Sequence, residues 1–295
     1  MARTAPRVGQ VAKTVLRTGT PLLSPFALLM LAASSAWAMG SRPLASPVPP
    51  GVTVFETVLH AVDGTTIFAD WYTGTPTRQA ALIVVPGYIM HKDDPDFAAM
   101  SRDLSRDFDV LCLSLRGHGK SPGIFTFGAK EWMDVAAGII EGRRAHRRIF
   151  LLGFSLGAGA SLKASSGTPG PDGMVLVSVP ASYGRIWKRP GIILTVFSWY
   201  PGSGNLFGVR QLNPLTAEAE FIGTAHALES PVLFIHGDTD RLVPISHARA
   251  VFEVTGSERR EFAVIRRGGH AEVLYREDRD EFLGLVRRWL ASCGS

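Results

Sequence analysis

The stretch Gly153-Phe154-Ser155-Leu156-Gly157-Ala158-Gly159 sets one hydroxyl among small residues, directly after the apolar run Arg147-Arg148-Ile149-Phe150-Leu151-Leu152. Two readings compete. In the first, a glycine-rich strand-to-helix turn is merely capped by Ser155. In the second, the turn is a nucleophile elbow, so tight that only small flanking residues avoid the chain. Gly153-x-Ser155-x-Gly157 matches the elbow pattern G-x-S-x-G. A pattern with three fixed positions recurs by chance, so its context and partners must decide.

The context is an alternation of strands and helices. VTVFETVLH and TTIFADWY are β-branched and aromatic runs, and Asp63-Gly64 between them signals a hairpin. ALIVV and FDVLCLSL are continuous apolar runs, as expected of strands covered on both faces. DPDFAAMSRDLSRD reads as a helix, with Phe97, Met100 and Leu104 on one side. GAKEWMDVAAGIIEGRRAHRR is a second, its early acids Glu131 and Asp134 and late arginines complementing the helix dipole. RIFLLGF, GMVLVSV, PVLFIHG and REFAVI supply further strands, and REDRDEFLGLVRRWLAS closes the chain as a helix. The fold class is therefore α/β, an open and mostly parallel sheet with helices on both faces. Active groups in such sheets collect at the carboxyl ends of the strands, where Ser155 lies.

Composition narrows the function classes. The chain has 295 residues, 46% of them hydrophobic, enough for one large domain. Of its net charge of +5, four charges come from Arg3, Arg7, Lys13 and Arg17, before any acid appears. The remainder is nearly balanced, and no basic stripe with interleaved aromatics points to nucleic acid. Cys112 sits in an apolar run and Cys293 near the terminus, so a disulfide framework is not expected. No Cys/His spacing suggests zinc, and no metal or other cofactor is expected.

Residues 1–38 look like a targeting segment. Basic residues precede PLLSPFALLMLAASSAWA, which ends in the cleavage-like Ala36-Trp37-Ala38. No charge falls between Arg17 and Arg42, so residues 18–41 also suit an uncleaved membrane anchor. The short apolar core and small-residue site favour removal. Either way the body of the protein is expected outside the cytoplasm, exported or anchored. Residues 39–51 read as a proline-stiffened linker.

A serine hydroxyl needs a base to take its proton, and the base needs a third group to orient it. After Ser155, PVLFIHGDTDRLVP places Asp240 just past a buried strand, and EFAVIRRGGHAEV places His270 just past another. The order serine, acid, histidine is that of elbow hydrolases. Asp238 rivals Asp240 by proximity. His118 rivals His270 but precedes the serine, and reads better as a loop brace beside the pocket. His236 reads as part of the turn leaving its strand. Lys92, Asp93 and Asp94 read as a solvated loop, and EGRRAHRR as a solvated helix end.

On GFSLGAG, HGDTDRLVP, GGHAE and LRGHGKS the sequence resembles the α/β-hydrolase family, its serine esterase, lipase, lysophospholipase or aminopeptidase-like branches, over roughly residues 52–291. The resemblance implies an eight-stranded, mostly parallel sheet, and the segment at about residues 182–229, longer than an ordinary connection, reads as a small lid over the site. It selects Asp240 over Asp238. It implies an oxyanion hole from the backbone N–H groups of Leu156 and of Tyr88, which follows Gly87; Pro86 stands where a histidine is usual. It implies a carboxylic ester hydrolase acting through an acyl-enzyme on Ser155. Acyltransferase, thioesterase, peptidase and silent binding protein stay open, whereas a serine at the elbow disfavours an aspartate-nucleophile hydrolase. The partner is a small or lipid-like ester substrate, with membrane contact through the N-terminal segment. In the lid, Trp199 and Phe197 belong to an apolar cluster that suits either lid packing or an acyl pocket.

Overall fold

The protein is described by a computed structural model for residues 47–74, 77–166, 170–183, 186, 209–210 and 220–293. The targeting segment, most of the linker and most of the lid, with Phe197 and Trp199, lie outside these residues.

Eight strands form one sheet: β1 (Val52–His60), β2 (Thr66–Gly74), β3 (Ala80–Val85), β4 (Asp109–Leu113), β5 (Arg148–Phe154), β6 (Gly173–Val177), β7 (Val232–Gly237) and β8 (Arg260–Ile265). Their spatial order is β1-β2-β4-β3-β5-β6-β7-β8. β2 runs against both its neighbours, β1 and β4. Every other neighbouring pair is parallel. The helices are α1 (Pro95–Leu104), α2 (Glu131–Arg143), α3 (Leu156–Ser165), α4 (Ile222–Ala225), α5 (Ile245–Val254), α6 (Val273–Glu277) and α7 (Arg279–Ser292).

Apolar runs become central strands because both faces are covered. Along β3, Ala81, Ile83 and Val85 face a core shared with α2 and α3. Leu82 and Val84 face the opposite core, shared with α1 and α7. The period of two along a strand thus feeds two cores from one apolar segment.

Two sequence expectations need correction. The closing helix does not run unbroken from Arg276. Asp278 leaves helical geometry (φ −140°, ψ 81°) and accepts a hydrogen bond from the Glu281 N–H at 3.0 Å. A capping aspartate stabilises the helix it precedes and interrupts one that would run through it, so α6 stops and α7 begins there. Second, Lys92 is not solvated. Its side chain is 3% exposed, and its ammonium lies 2.8 Å from Asp93, 2.9 Å from Asp70 and 3.0 Å from Glu56. Burial works against the charge, but these three carboxylates hold the Lys92 pKa above its usual value. Glu56 and Asp70 come from β1 and β2, so the loop after β3 is tied to the antiparallel end of the sheet.

Glu131 and Asp134 do more than complement a dipole. Glu131 is buried and accepts from the N–H groups of Thr126 and Gly128, both at 2.6 Å. Asp134 pairs with Arg116 at 2.6 Å, while Arg116 also holds Asp63 of the β1–β2 turn at 2.7 Å. This fixes the loop Arg116–Ser121 beneath the carboxyl end of the sheet.

Candidate active site

β5 ends at Phe154 and α3 starts at Leu156, leaving Ser155 alone to turn the chain. It does so at φ 50° and ψ −117°, a conformation that costs an L-residue on the order of 1–3 kcal/mol. The turn leaves no room for a side chain two residues to either side of Ser155. A Cβ on Gly153 would lie 2.7 Å from both Ala158 Cα and Ser161 Oγ, and one on Gly157 would lie 2.3 Å from the Pro86 carbonyl oxygen. The Ser155 side chain makes no capping hydrogen bond to its helix. Its Oγ instead lies 3.0 Å from His270 Nε2. Between the two readings of the motif, this contact favours the elbow.

His270 Nδ1 lies 2.7 Å from Asp240 Oδ2, so Nδ1–H donates to the carboxylate and Nε2 is left to accept from Ser155. The other Asp240 oxygen accepts from the N–H groups of Leu242 at 3.0 Å and Val243 at 2.8 Å. Asp240 is buried, whereas Asp238 is exposed. Burial would raise the Asp240 pKa, but hydrogen bonds from His236 and His270 outweigh it and hold the carboxyl well below the usual range. It therefore stays ionised, as the orienting member of such an array requires.

Glycines let the acid and base loops meet. A Cβ on Gly237, at the end of β7, would lie 2.2 Å from the Gly268 carbonyl oxygen and 2.4 Å from that of Gly269. The backbone of Gly268-Gly269 thus crosses directly over β7 and delivers His270 above Asp240. Thr239 N–H donates to Gly268 O at 3.1 Å and its hydroxyl to the same atom at 2.8 Å, tying the crossing. After the base, Ala271 adopts φ 53° and its N–H donates to Ser178 Oγ at 3.1 Å.

Two of these supports escaped the sequence reading. His236 is a buried residue of β7, not of the turn beyond it; its Nε2 donates to Val243 O at 2.8 Å and lies 3.3 Å from Asp240 Oδ2. Its position in His-Gly-x-x-Asp was the available signal. Ser178 carried none, since nothing in its neighbourhood marks it.

The loop expected to supply the second oxyanion donor lies against Ser155. A Cβ on Gly87 would stand 3.2 Å from Ser155 Cβ. Leu156 is the first residue of α3, and a first-turn N–H has no acceptor within its own helix. The Tyr88 ring packs with Phe125 at 5.5 Å and Phe127 at 5.6 Å, and Phe127 with Tyr183 at 4.6 Å. This aromatic row beside the loop had no sequence pattern to announce it. Among the described residues no group of three or more His, Cys, Asp or Glu side chains could hold a metal ion.

His118 does not touch this array. It is fully buried, its Nδ1–H donates to Arg116 O at 3.1 Å, and its Nε2 accepts from Ile89 N–H at 3.1 Å. Burial lowers its pKa to about 4 from the ordinary 6.5. The unfolded chain therefore binds a proton on this histidine at a higher pH than the folded one. Stability contributed by neutral His118 is lost as pH falls from about 6.5 to about 4, by about 3 kcal/mol for this residue. Urea titrations across that window are expected to show a shallower decline in a His118→Gln variant.

The sequence itself carries the family signal across most of this architecture. Residues 82–285 match the model of the alpha/beta hydrolase family. The chain belongs to the alpha/beta hydrolase family. No curated protein matches it by sequence. Among solved structures it is similar to an esterase of Pyrococcus furiosus, with a TM-score of 0.67 and 19% identity over 86% of this chain and 99% of that one. An esterase of Rhodococcus sp. ECU1013 aligns with a TM-score of 0.59 and 22% identity, covering 81% and 99% of the two chains. Acetyl xylan esterase 1 of Thermoanaerobacterium sp. JW/SL YS485 gives 0.62 and 17%, covering 87% and 90%. At these identities the likeness concerns the α/β-hydrolase fold, an eight-stranded and mostly parallel sheet flanked by helices.

Proposed function

We propose that this α/β-hydrolase cleaves carboxylic esters through a covalent acyl-enzyme on Ser155. The observation that carries the reading is the contact of Ser155 Oγ with His270 Nε2 at 3.0 Å, backed by His270 Nδ1 on Asp240 at 2.7 Å. The names of the similar solved structures, esterases of three organisms, support the same class.

Ser155 Oγ attacks the ester carbonyl carbon while His270 Nε2 takes its proton. Asp240 keeps Nδ1 protonated and stabilises the imidazolium. The oxyanion is held by the N–H groups of Leu156 and Tyr88. The imidazolium then protonates the departing alkoxide as the carbon–oxygen bond breaks, leaving the acyl group on Ser155. Water, deprotonated by His270, attacks the acyl carbon; the acyl–Ser155 Oγ bond then breaks as His270 returns the proton to Oγ, and a carboxylic acid leaves. No cofactor enters any step. The aromatic row of Tyr88, Phe125 and Phe127 supports an apolar acyl group.

The test is covalent labelling with a fluorophosphonate, followed by mass mapping of the modified peptide. Modification of Ser155, with turnover of nitrophenyl esters, supports the reading. An unlabelled protein without esterase activity refutes it. Export or anchoring is proposed from residues 1–38 alone, and sequencing the amino terminus of the exported protein separates the two.

A further inference from the structure

The segment after β3 makes a tight turn whose form the sequence alone would not choose. Met90 N–H donates to Gly87 O at 3.4 Å, closing a turn over Gly87, Tyr88, Ile89 and Met90. Its third residue, Ile89, sits at φ 66°, while Tyr88 is not among the residues of positive φ. Positive φ at the third position alone is the mark of a type II turn, where glycine is the usual occupant. A β-branched isoleucine is among the worst. A type I turn with the same closing bond would relieve Ile89. It differs by a flip of the Tyr88–Ile89 peptide, about 150° in the ψ of Tyr88.

Something must therefore hold that peptide. The central N–H of the turn, that of Ile89, donates to His118 Nε2 at 3.1 Å. Nε2 is an acceptor because Nδ1–H is committed to Arg116 O at 3.1 Å. Arg116 is in turn fixed by Asp134 and Asp63, at 2.6 and 2.7 Å. In the flipped turn the Tyr88 carbonyl oxygen would face this lone pair, acceptor against acceptor. We infer that His118 is a positioning residue that locks the Gly87–Met90 turn in its type II form and so aims the Tyr88 N–H at the oxyanion.

The link to the oxyanion follows from peptide planarity. Gly87 C=O turns inward to Met90 N–H, and across a trans peptide the Tyr88 N–H points the opposite way. Releasing the central peptide loosens the turn that maintains this direction, and Gly87 itself packs on Ser155. The inference rests on the serine esterase reading.

The experiment is a double-mutant cycle on the full chain with His118→Leu and Ile89→Gly, read by kcat and KM on a nitrophenyl ester and by the inhibition constant of an alkyl boronic acid, a tetrahedral mimic. His118→Leu is expected to lower kcat about 10- to 100-fold, reaching at most the lower end of the range for losing one oxyanion donor outright. KM should stay within about twofold, and boronate affinity should fall with kcat. Glycine adopts positive φ without the steric cost isoleucine bears there, so adding Ile89→Gly to His118→Leu should restore most of the lost kcat. A folded His118→Leu enzyme with parental kcat and boronate affinity overturns the inference, as does a folded double variant no faster than the single. If His118→Leu does not fold, His118→Gln decides, because its amide oxygen can accept from Ile89: boronate affinity within about fivefold of the parent supports the lock, and a larger loss in the folded variant overturns it. Failure of the esterase reading looks different, since the parent enzyme itself would then neither hydrolyse the ester nor react at Ser155.

Discussion

The variant carrying both Ser155→Ala and His270→Ala is expected to be no slower than either single variant, each of which should lose kcat on the order of a million-fold. The reason is that, in the proposed mechanism, the hydroxyl and the imidazole, 3.0 Å apart, act as one device. Without its base the alcohol stays protonated, and without the alcohol the base has nothing to activate. Asp240→Asn is expected to cost less, on the order of ten-thousand-fold. An amide there still occupies the site fixed by Leu242 and Val243, but it permits the wrong imidazole tautomer. Single-turnover measurements with a nitrophenyl ester check all three. Additive losses in the double variant would mean that Ser155 and His270 work independently and would defeat the proposed mechanism.

Gly157→Ala is expected to destabilise the protein by about 3 kcal/mol, the upper part of the range for overpacked sites, and to depress esterase turnover with it. The added carbon would meet the Pro86 and Val85 carbonyl oxygens at 2.3 and 2.4 Å. Both are backbone atoms, so relief requires moving the end of β3, and with it the loop that rests on Ser155. Gly223→Ala is the matching control. It meets nothing within 4 Å and should change stability by no more than about 0.5 kcal/mol. Urea denaturation of the two variants decides the matter, and a Gly157→Ala protein as stable as the parent would show that the elbow is not tightly packed.

Much of this was legible in the residues. The apolar runs of β3 to β7 declared their strands because burial on both faces leaves no room for alternation. Gly153, Gly157, Gly237 and Gly268 were visible as letters, and each proves to sit where two backbones nearly touch. His270 follows from chain order and its strand end, and Asp240 is preferred to Asp238 on the family resemblance. What stayed hidden depends on contacts between distant segments. Lys92 looked solvated because the carboxylates that bury it, Glu56 and Asp70, stand more than twenty residues away in the sequence. The partnership of His118 with Ile89 joins two loops that no local pattern connects. The break at Asp278 was misread because the helical period continues across it, while capping depends on one side-chain bond.

The three residues of the proposed mechanism do not share one mechanical footing. Ser155 leaves β5, which is flanked on both sides, whereas His270 follows β8, the outermost strand, paired on one edge only. Fraying starts where backbone pairing is one-sided, so on warming the imidazole should part from the alcohol while the middle of the sheet is still intact. Heat inactivation would then precede loss of the circular dichroism signal, and amide protons of residues 260–265 would exchange before those of β3 and β5.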